Sequence, residues 1–260
     1  MTEEINVLDL ENKVNSKGKY LTDFLNPAAR LKIEDHFACK KDSTIKIVKY
    51  EQSVDLESTK VYLIDTKLCD EYEVIDYSNL EETFKIQILK FTPNKFARKL
   101  FHKDYLGTVL GLGLRREKIG DIILTNDNGC YLFADSEIAE FIMKNLERVG
   151  HETVKIAKVN SINEDLVTTN YKDRDITITS LRVDNLIAHS LGISRGLSSS
   201  LIEKELVKIN YVTNINNLYE IKLNDLISVR GYGRIQIIEF DGENKKGRKR
   251  VKVRIFKKEK

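Results

Sequence analysis

Between residues 84 and 159 the apolar pattern alternates between strand and helix spacing in an order that few folds accommodate. FKIQILKF alternates as a strand through Phe84, Ile86, Ile88 and Lys90. DYLGTVLGLGL predicts a helix, and GDIILT and CYLFA predict two strands joined through the turn NDNG. SEIAEFIMKNLERVG predicts a helix capped by Ser136, apolar at Ile138, Phe141, Ile142 and Leu146 and stopped by Gly150. ETVKIAKV closes the series as a strand. The resulting order, β-α-β-β-α-β, is that of a ferredoxin-like sandwich, an architecture shared by RNA-recognition modules and by many unrelated proteins.

Around this segment the chain reads as an α+β protein of three small domains. Residues 1–80 form an N-terminal α/β domain. It opens with helix-like KYLTDFLNPAARLKIEDHFA, in which Asn26 is a cap and Pro27 fits the first turn, and continues with the strand-like runs TIKIVKY and KVYLID. Residues 81–160 are the ferredoxin-like middle domain, and the polar residues 161–176 a linker or hairpin arm. Residues 177–260 are a compact module of two helices on a small sheet. Its first helix carries Val183, Leu186, Ile187 and Leu191 as one apolar stripe and ends at Gly192. Ser194 caps the second, buried through Leu197, Leu201 and Ile202.

Charge is distributed unevenly. Residues 95–118 hold 7 Lys/Arg against 2 Asp/Glu, and residues 181–260 hold 17 against 9, although the whole chain is only +3. Two basic islands separated by acidic blocks favour a polyanionic partner. The tail from Gly242 has ten cations; V-K-V-R-I-F-K alternates as a strand with a basic face, and KKGRKR reads as a mobile, phosphate-seeking loop.

Other chemistries find little support. No run is apolar enough to span a membrane, and the acidic N-terminus lacks a signal architecture. Cys39, Cys69 and Cys130 read as reduced, mostly buried thiols of a cytoplasmic protein. The scattered cysteines and histidines lack ligand spacing, so neither metal nor cofactor is expected. Gly107, Gly111 and Gly113 match no phosphate-loop spacing, and Gly107 and Gly111, at i and i+4 of the predicted helix, are expected to permit close helix–sheet packing. Arg182 and Arg195 stand at helix starts, where the helix dipole disfavours cations; Asp184 is the expected local counter-charge.

RVDNLIAHSLGISRGLSSSLIEKELVKIN followed by NDLISVRGYGR resembles the RNA-binding domain first defined in ribosomal protein S-four, the alpha-L motif. The match runs through Arg182, Asp184, Ser194, Arg195, Ile202, Val207, Asn210, Asp225, Ile227, Val229, Arg230 and Gly231. Val183 replaces the usual Leu, Ser198 is the small residue, and Glu205 stands where glycine is usual. With FTPNKFARKLFHKDYLGTVLGLGLRREKIGDI and TDFLNP, the chain is similar to the YlmH family of bacterial proteins, which has an N-terminal, a ferredoxin-like and an alpha-L domain. The glycine pair and Glu-Arg usual in the first block are missing around KYEQSVDLESTK.

The resemblance implies non-catalytic binding of structured RNA (ribosomal or transfer RNA). It also implies association with the large ribosomal subunit and a part in translation quality control or rescue of stalled subunits. Arg182, Arg195, Lys204 and Lys208 are then expected on phosphates, with Asn210, Arg230 and Arg234 bordering one groove. The loop of Lys245, Lys246, Arg248, Lys249 and Arg250 would reach a neighbouring backbone. Lys95, Arg98, Lys99, Lys103, Arg115, Arg116 and Lys118 form a second candidate RNA face. Tyr211 and Tyr232 are few stacking aromatics, which argues against a single-strand reader. No membrane or small-molecule substrate is expected. One alternative is an RNA-modifying enzyme docked by its C-terminal domain, but neither a catalytic G-R-L-D-type loop nor a cofactor loop is present. Another is a protein-interaction scaffold linked to cell division.

Overall fold

The computed structural model describes residues 5–40, 42–52, 56–168 and 171–257. Asn6 starts α1 (Val7–Lys17) by accepting from Asp9 N, and Gly18 ends it at φ +75°. Strand β1 (Lys19–Leu21) follows, so KYLTDFL leaves the helical reading at a glycine turn that sequence periodicity did not mark. Helix α2 (Pro27–Ala38) begins as its residues require: Asn26 Oδ1 accepts from Ala29 N at 2.9 Å, and Pro27 occupies the first turn. Strands β2 (Ile45–Lys49) and β3 (Val61–Asp65) complete an antiparallel sheet of order β1-β3-β2. Leu10, Val14, Ile33, Phe37, Val61 and Leu63 form its core. Two short helices, α3 (Glu71–Val74) and α4 (Leu80–Thr83), lead to the middle segment.

There β4 (Ile86–Pro93), α5 (His102–Leu110), β5 (Ile119–Leu124), β6 (Cys130–Asp135), α6 (Ser136–Asn145), the short β7 (Arg148–Val149) and β8 (Glu152–Val159) follow in turn. The sheet order is β5-β6-β4-β8-β7, antiparallel throughout. Phe84 lies outside the strand because it ends α4 and Lys85 takes φ +51°. Asp135, one residue before Ser136, caps α6 by accepting from Glu137 N, and Phe141 is exposed. The helix ends at Asn145, and Gly150 turns β7 into β8. Gly107 has open space where a side chain would point, so it does not serve close packing. Cys130 is buried, but Cys39 is exposed.

Both faces of β4 are apolar, so the sheet needs cover on both sides. Leu89 and Phe91 pack with α5 and α6 around Tyr105, Val109, Ala139 and Ile142. On the opposite face, Ile86, Ile88, Tyr131 and Phe133 meet Phe24, Tyr50 and Ile64 of the preceding block, together with Phe84 at the end of α4. Residues Met1–Thr168 therefore form one compact unit in which the first two blocks share a core, and Thr169–Lys260 form the other. The joint is polar as well: Lys60, buried, donates to Asp135 Oδ2 at 2.7 Å, and Asp121 accepts from the N–H groups of Glu57 and Ser58. Residues 161–168, expected within a linker or arm, fold back onto this unit through buried Ile162 and the Thr125–Val167 bridge.

The second unit begins with β9 (Tyr171–Ile178), an edge strand whose polar half is held by Arg254 donating to Asp173 at 2.8 and 3.1 Å. Helices α7 (Val183–Leu191) and α8 (Arg195–Glu203) follow. Next come β10 (Val207–Ile209), β11 (Val212–Thr213), β12 (Leu226–Val229), β13 (Gly233–Glu243) and β14 (Lys249–Lys257). The sheet order is β11-β10-β12-β13-β14-β9. Gly192 stops α7 at φ +67°, and Ser194 Oγ caps α8. Leu201 and Ile202 are buried as expected, but Leu197 is 41% exposed. Among the described residues no helix is long and apolar enough to cross a membrane, and no cluster of His, Cys, Asp and Glu could hold a metal ion.

Candidate nucleic-acid interface

Two helix starts converge on one carboxylate. Asp184, in the first turn of α7, is 1% exposed. Its Oδ1 accepts from Arg182 Nε at 3.1 Å and from Asn185 N at 2.8 Å. Its Oδ2 accepts from Arg182 Nη2 at 2.9 Å and from Arg195 Nε at 3.0 Å. Burial would raise the carboxyl's pKa, but the hydrogen bonds from Arg182 and Arg195 outweigh it and hold the group below the ordinary carboxylate value. Ser198, fully buried, donates from Oγ to the Asp184 carbonyl at 2.8 Å and ties α8 to α7. The side chains of Arg182 and Arg195 remain 35% and 53% exposed. Asp184 therefore compensates both arginines, and two cations against one anion leave a fixed positive charge at the surface.

At the other end of α8 lies a cleft of about 470 Å³. Cross-strand register lines up Lys208, Ser228 and Arg234 on one face of β10, β12 and β13, with Arg230 beside them. Arg234 also stacks on Phe256, 5.1 Å from the ring centre. Glu205 exits α8 at φ +60°, adopting the left-handed backbone that glycine normally supplies. Lys204 and Lys208 remain exposed on either side of it. Asn210 is otherwise engaged: its amide donates to buried Asp225 at 2.8 Å and accepts from Leu226 N at 2.9 Å. Its side chain fixes a turn in which Asn210 and Tyr211 both have positive φ.

The hairpin of β13 and β14 ends in a constructed turn. Asn244 Oδ1 accepts from Lys246 N and Arg248 N, and Gly247 takes φ +70°. Lys245, Lys246 and Arg248 are exposed, whereas Lys249 pairs with Glu243 and Arg250 with Asp241. Lys249 registers with Ile178, which puts this tip at the end of the sheet from which α7 departs. The expected single groove thus divides into two: the tip with Arg182 and Arg195 at one end, and Lys204, Lys208, Arg230 and Arg234 at the other.

The second candidate face, in the first unit, also divides. Lys118 donates to Asp23 at 2.8 Å and to Asp135 at 3.1 Å, and Arg115 pairs with Asp23 at 3.4 Å. Arg116 donates to the Ile119 carbonyl. Lys118 and Arg115 thus tie Asp23 of the first block to the second, with Arg115 still 67% exposed, and Arg116 is held within its own segment. Lys95, Lys99 and Lys103 stay exposed around the start of α5, where Arg98 lies 3.9 Å from Asp104 and 3.8 Å from Glu152. Sequence reasoning missed Phe96 among them, a ring 95% exposed. An aromatic between Lys95 and Arg98 was the available signal.

The family described as "Putative RNA-binding domain in YlmH" matches residues 80–163. A Bacillus subtilis (strain 168) protein named "Ribosome-associated protein quality control protein P2" is 30% identical over 172 residues, covering 66% of this chain and 66% of that protein. The solved structure described as "Cell division protein ylmH from Streptococcus pneumoniae" is similar at TM-score 0.47 and 16% identity, over 61% of this chain and 95% of that one.

Proposed function

This chain belongs to the YlmH family, and we propose that it is a cytoplasmic protein that binds structured RNA on the ribosome without acting on it chemically. The middle segment reads as a ferredoxin-like sandwich and residues 177–260 as an alpha-L domain, in keeping with their strand orders and with the motif residues of α7 and α8. The RNA is ribosomal or transfer RNA of the large subunit, and the process is quality control or rescue of stalled translation. The name of the Bacillus subtilis relative supports the ribosomal half of this reading.

The observation that carries the proposal is the arginine pair held by Asp184. A buried carboxylate fixes two guanidiniums at the surface, beside a hairpin tip bearing three further exposed cations. Planar donors in fixed positions suit phosphates of a folded RNA, whose A-form grooves hide base edges. About five to seven phosphate contacts give a log–log salt slope of about −4 to −6. Replacing Arg182 and Arg195 together by Ala should weaken binding to purified large subunits about tenfold or more, read by sedimentation at fixed salt. A folded double variant that binds unchanged removes the site assignment.

A further inference from the structure

Phe96 occupies the turn Asn94–Ala97, closed by Ala97 N donating to the Asn94 carbonyl at 3.0 Å. The turn is anchored on both sides. Asn94 N donates to the Thr153 carbonyl at 3.2 Å, Leu100 N donates to Asn128 Oδ1 at 2.8 Å, and Asn128 Nδ2 donates to the Arg98 carbonyl at 2.8 Å. Leu100 itself is buried. The loop therefore holds its ring outward, and a ligand that covers the ring need not first order the loop.

Lys95 adjoins Phe96 in the turn, Lys99 and Lys103 follow it in the chain, and none of the three has a carboxylate partner among the described residues. Lys99 and Lys103 each place Nζ within 6 Å of the Phe101 ring centre, at 5.7 and 5.8 Å. A free aromatic face on a loop whose exposed lysines lack carboxylate partners fits a nucleic acid better than an apolar protein surface, because it offers stacking and phosphate neutralisation together. The usual alternative, a stacking platform on the open sheet, does not exist here. Tyr131 and Phe133 are buried beneath the N-terminal block, so RNA on this segment must meet its loops.

We propose that Phe96 stacks on an unpaired RNA base while Lys95, Lys99 and Lys103 hold the adjoining phosphates. This is a second RNA contact, on the first unit, and it rests on the reading of the protein as RNA-binding. It differs from the C-terminal contact in kind, since it reads a single-stranded base and not a folded shape.

The chain contains no tryptophan, so Phe96→Trp makes a unique fluorophore at this position. In the full chain, a short oligouridine strand should quench its emission, and a long RNA duplex, whose ends are few, should not. Phe96→Ala should weaken oligouridine binding by roughly five- to a hundredfold. Phe96→Tyr should restore binding and Phe96→Leu should not, which separates stacking from plain apolar contact. Replacing Lys95, Lys99 and Lys103 by Ala should flatten the log–log salt slope for oligouridine by about 2. Unchanged emission with oligouridine, equal quenching by duplex, or full binding by Phe96→Leu overturns the proposal. If the Phe96 variants bind oligouridine normally while the Arg182/Arg195 double variant loses the large subunit, this inference fails and the C-terminal reading stands.

Discussion

The carboxylate of Asp184 accepts a 3.0 Å hydrogen bond from Nε of Arg195, eleven residues further along the chain. That bond makes a single unit of two helix starts that are electrostatically unfavourable taken separately. It assigns Asp184 a positioning part: the buried acid decides where the exposed cations point.

Asp184→Asn tests this against simple charge counting. Losing an anion raises the positive charge of the site, which by itself strengthens attraction to a polyanion. The expected result is the reverse, a loss of roughly 1 kcal/mol in affinity for a folded ribosomal RNA fragment, because the guanidiniums are no longer held. Fluorescence anisotropy at fixed salt distinguishes the two, and equal or tighter binding would sink the positioning argument.

Acid should remove the same contribution from the fold. The native pKa of Asp184 lies below its ordinary value of 3.8, so its stabilisation is complete above that pH and is lost as pH falls through the native value. Urea midpoints of wild type and Asp184→Asn should therefore differ at neutral pH and converge well below pH 3.8. A gap independent of pH would show that the variant acts through packing alone.

Glu205→Gly should stabilise the second unit by about 1 kcal/mol, since glycine adopts φ +60° without the steric cost borne by glutamate. It also removes a carboxylate from the cleft of Lys208, Arg230 and Arg234, so RNA affinity should rise. Thermal melting and anisotropy read the two effects separately, and a destabilised variant would contradict the strain argument.

Gly120→Ala should loosen the joint of the first unit. A Cβ there would lie 2.5 Å from Phe24 Cε1 and 2.8 Å from Cδ1, beneath a ring that is itself buried. Overpacking of this kind costs about 1–3 kcal/mol. Tryptic cleavage after Lys60, which is buried at this joint, should accelerate, with RNA binding by the second unit retained; an unaltered digestion pattern would mean that Phe24 moves aside at no cost.

Much of the local structure was legible in the residues. The cap and proline at Asn26 and Pro27, the glycine stop at Gly192, the Ser194 cap and the strand–helix order of residues 86–159 all depend on contacts a few residues long. The polar run before residue 177 misled because an edge strand can be charged when its pairs are cross-strand, as Asp173 and Arg254 are. Leu197 and Phe141 stand at helical spacing yet face solvent, because the apolar stripe is narrower than the pattern implied.

The residues alone were enough for the strand–helix order of 86–159, for the two helices headed by Arg182 and Arg195, and for the two regions rich in cations. Those properties follow from backbone sterics, periodicity and composition, all of which act locally. Which cations are left to meet RNA was decided only by the tertiary structure. Asp23 and buried Asp135 draw Lys118 into the joint of the first unit and leave it 23% exposed, while Asp184 fixes Arg195 at the surface. The same folding covers Tyr131 and Phe133 and leaves Phe96 outside. Coulombic pairing and burial depend on distance in space, and only the folded chain sets that distance.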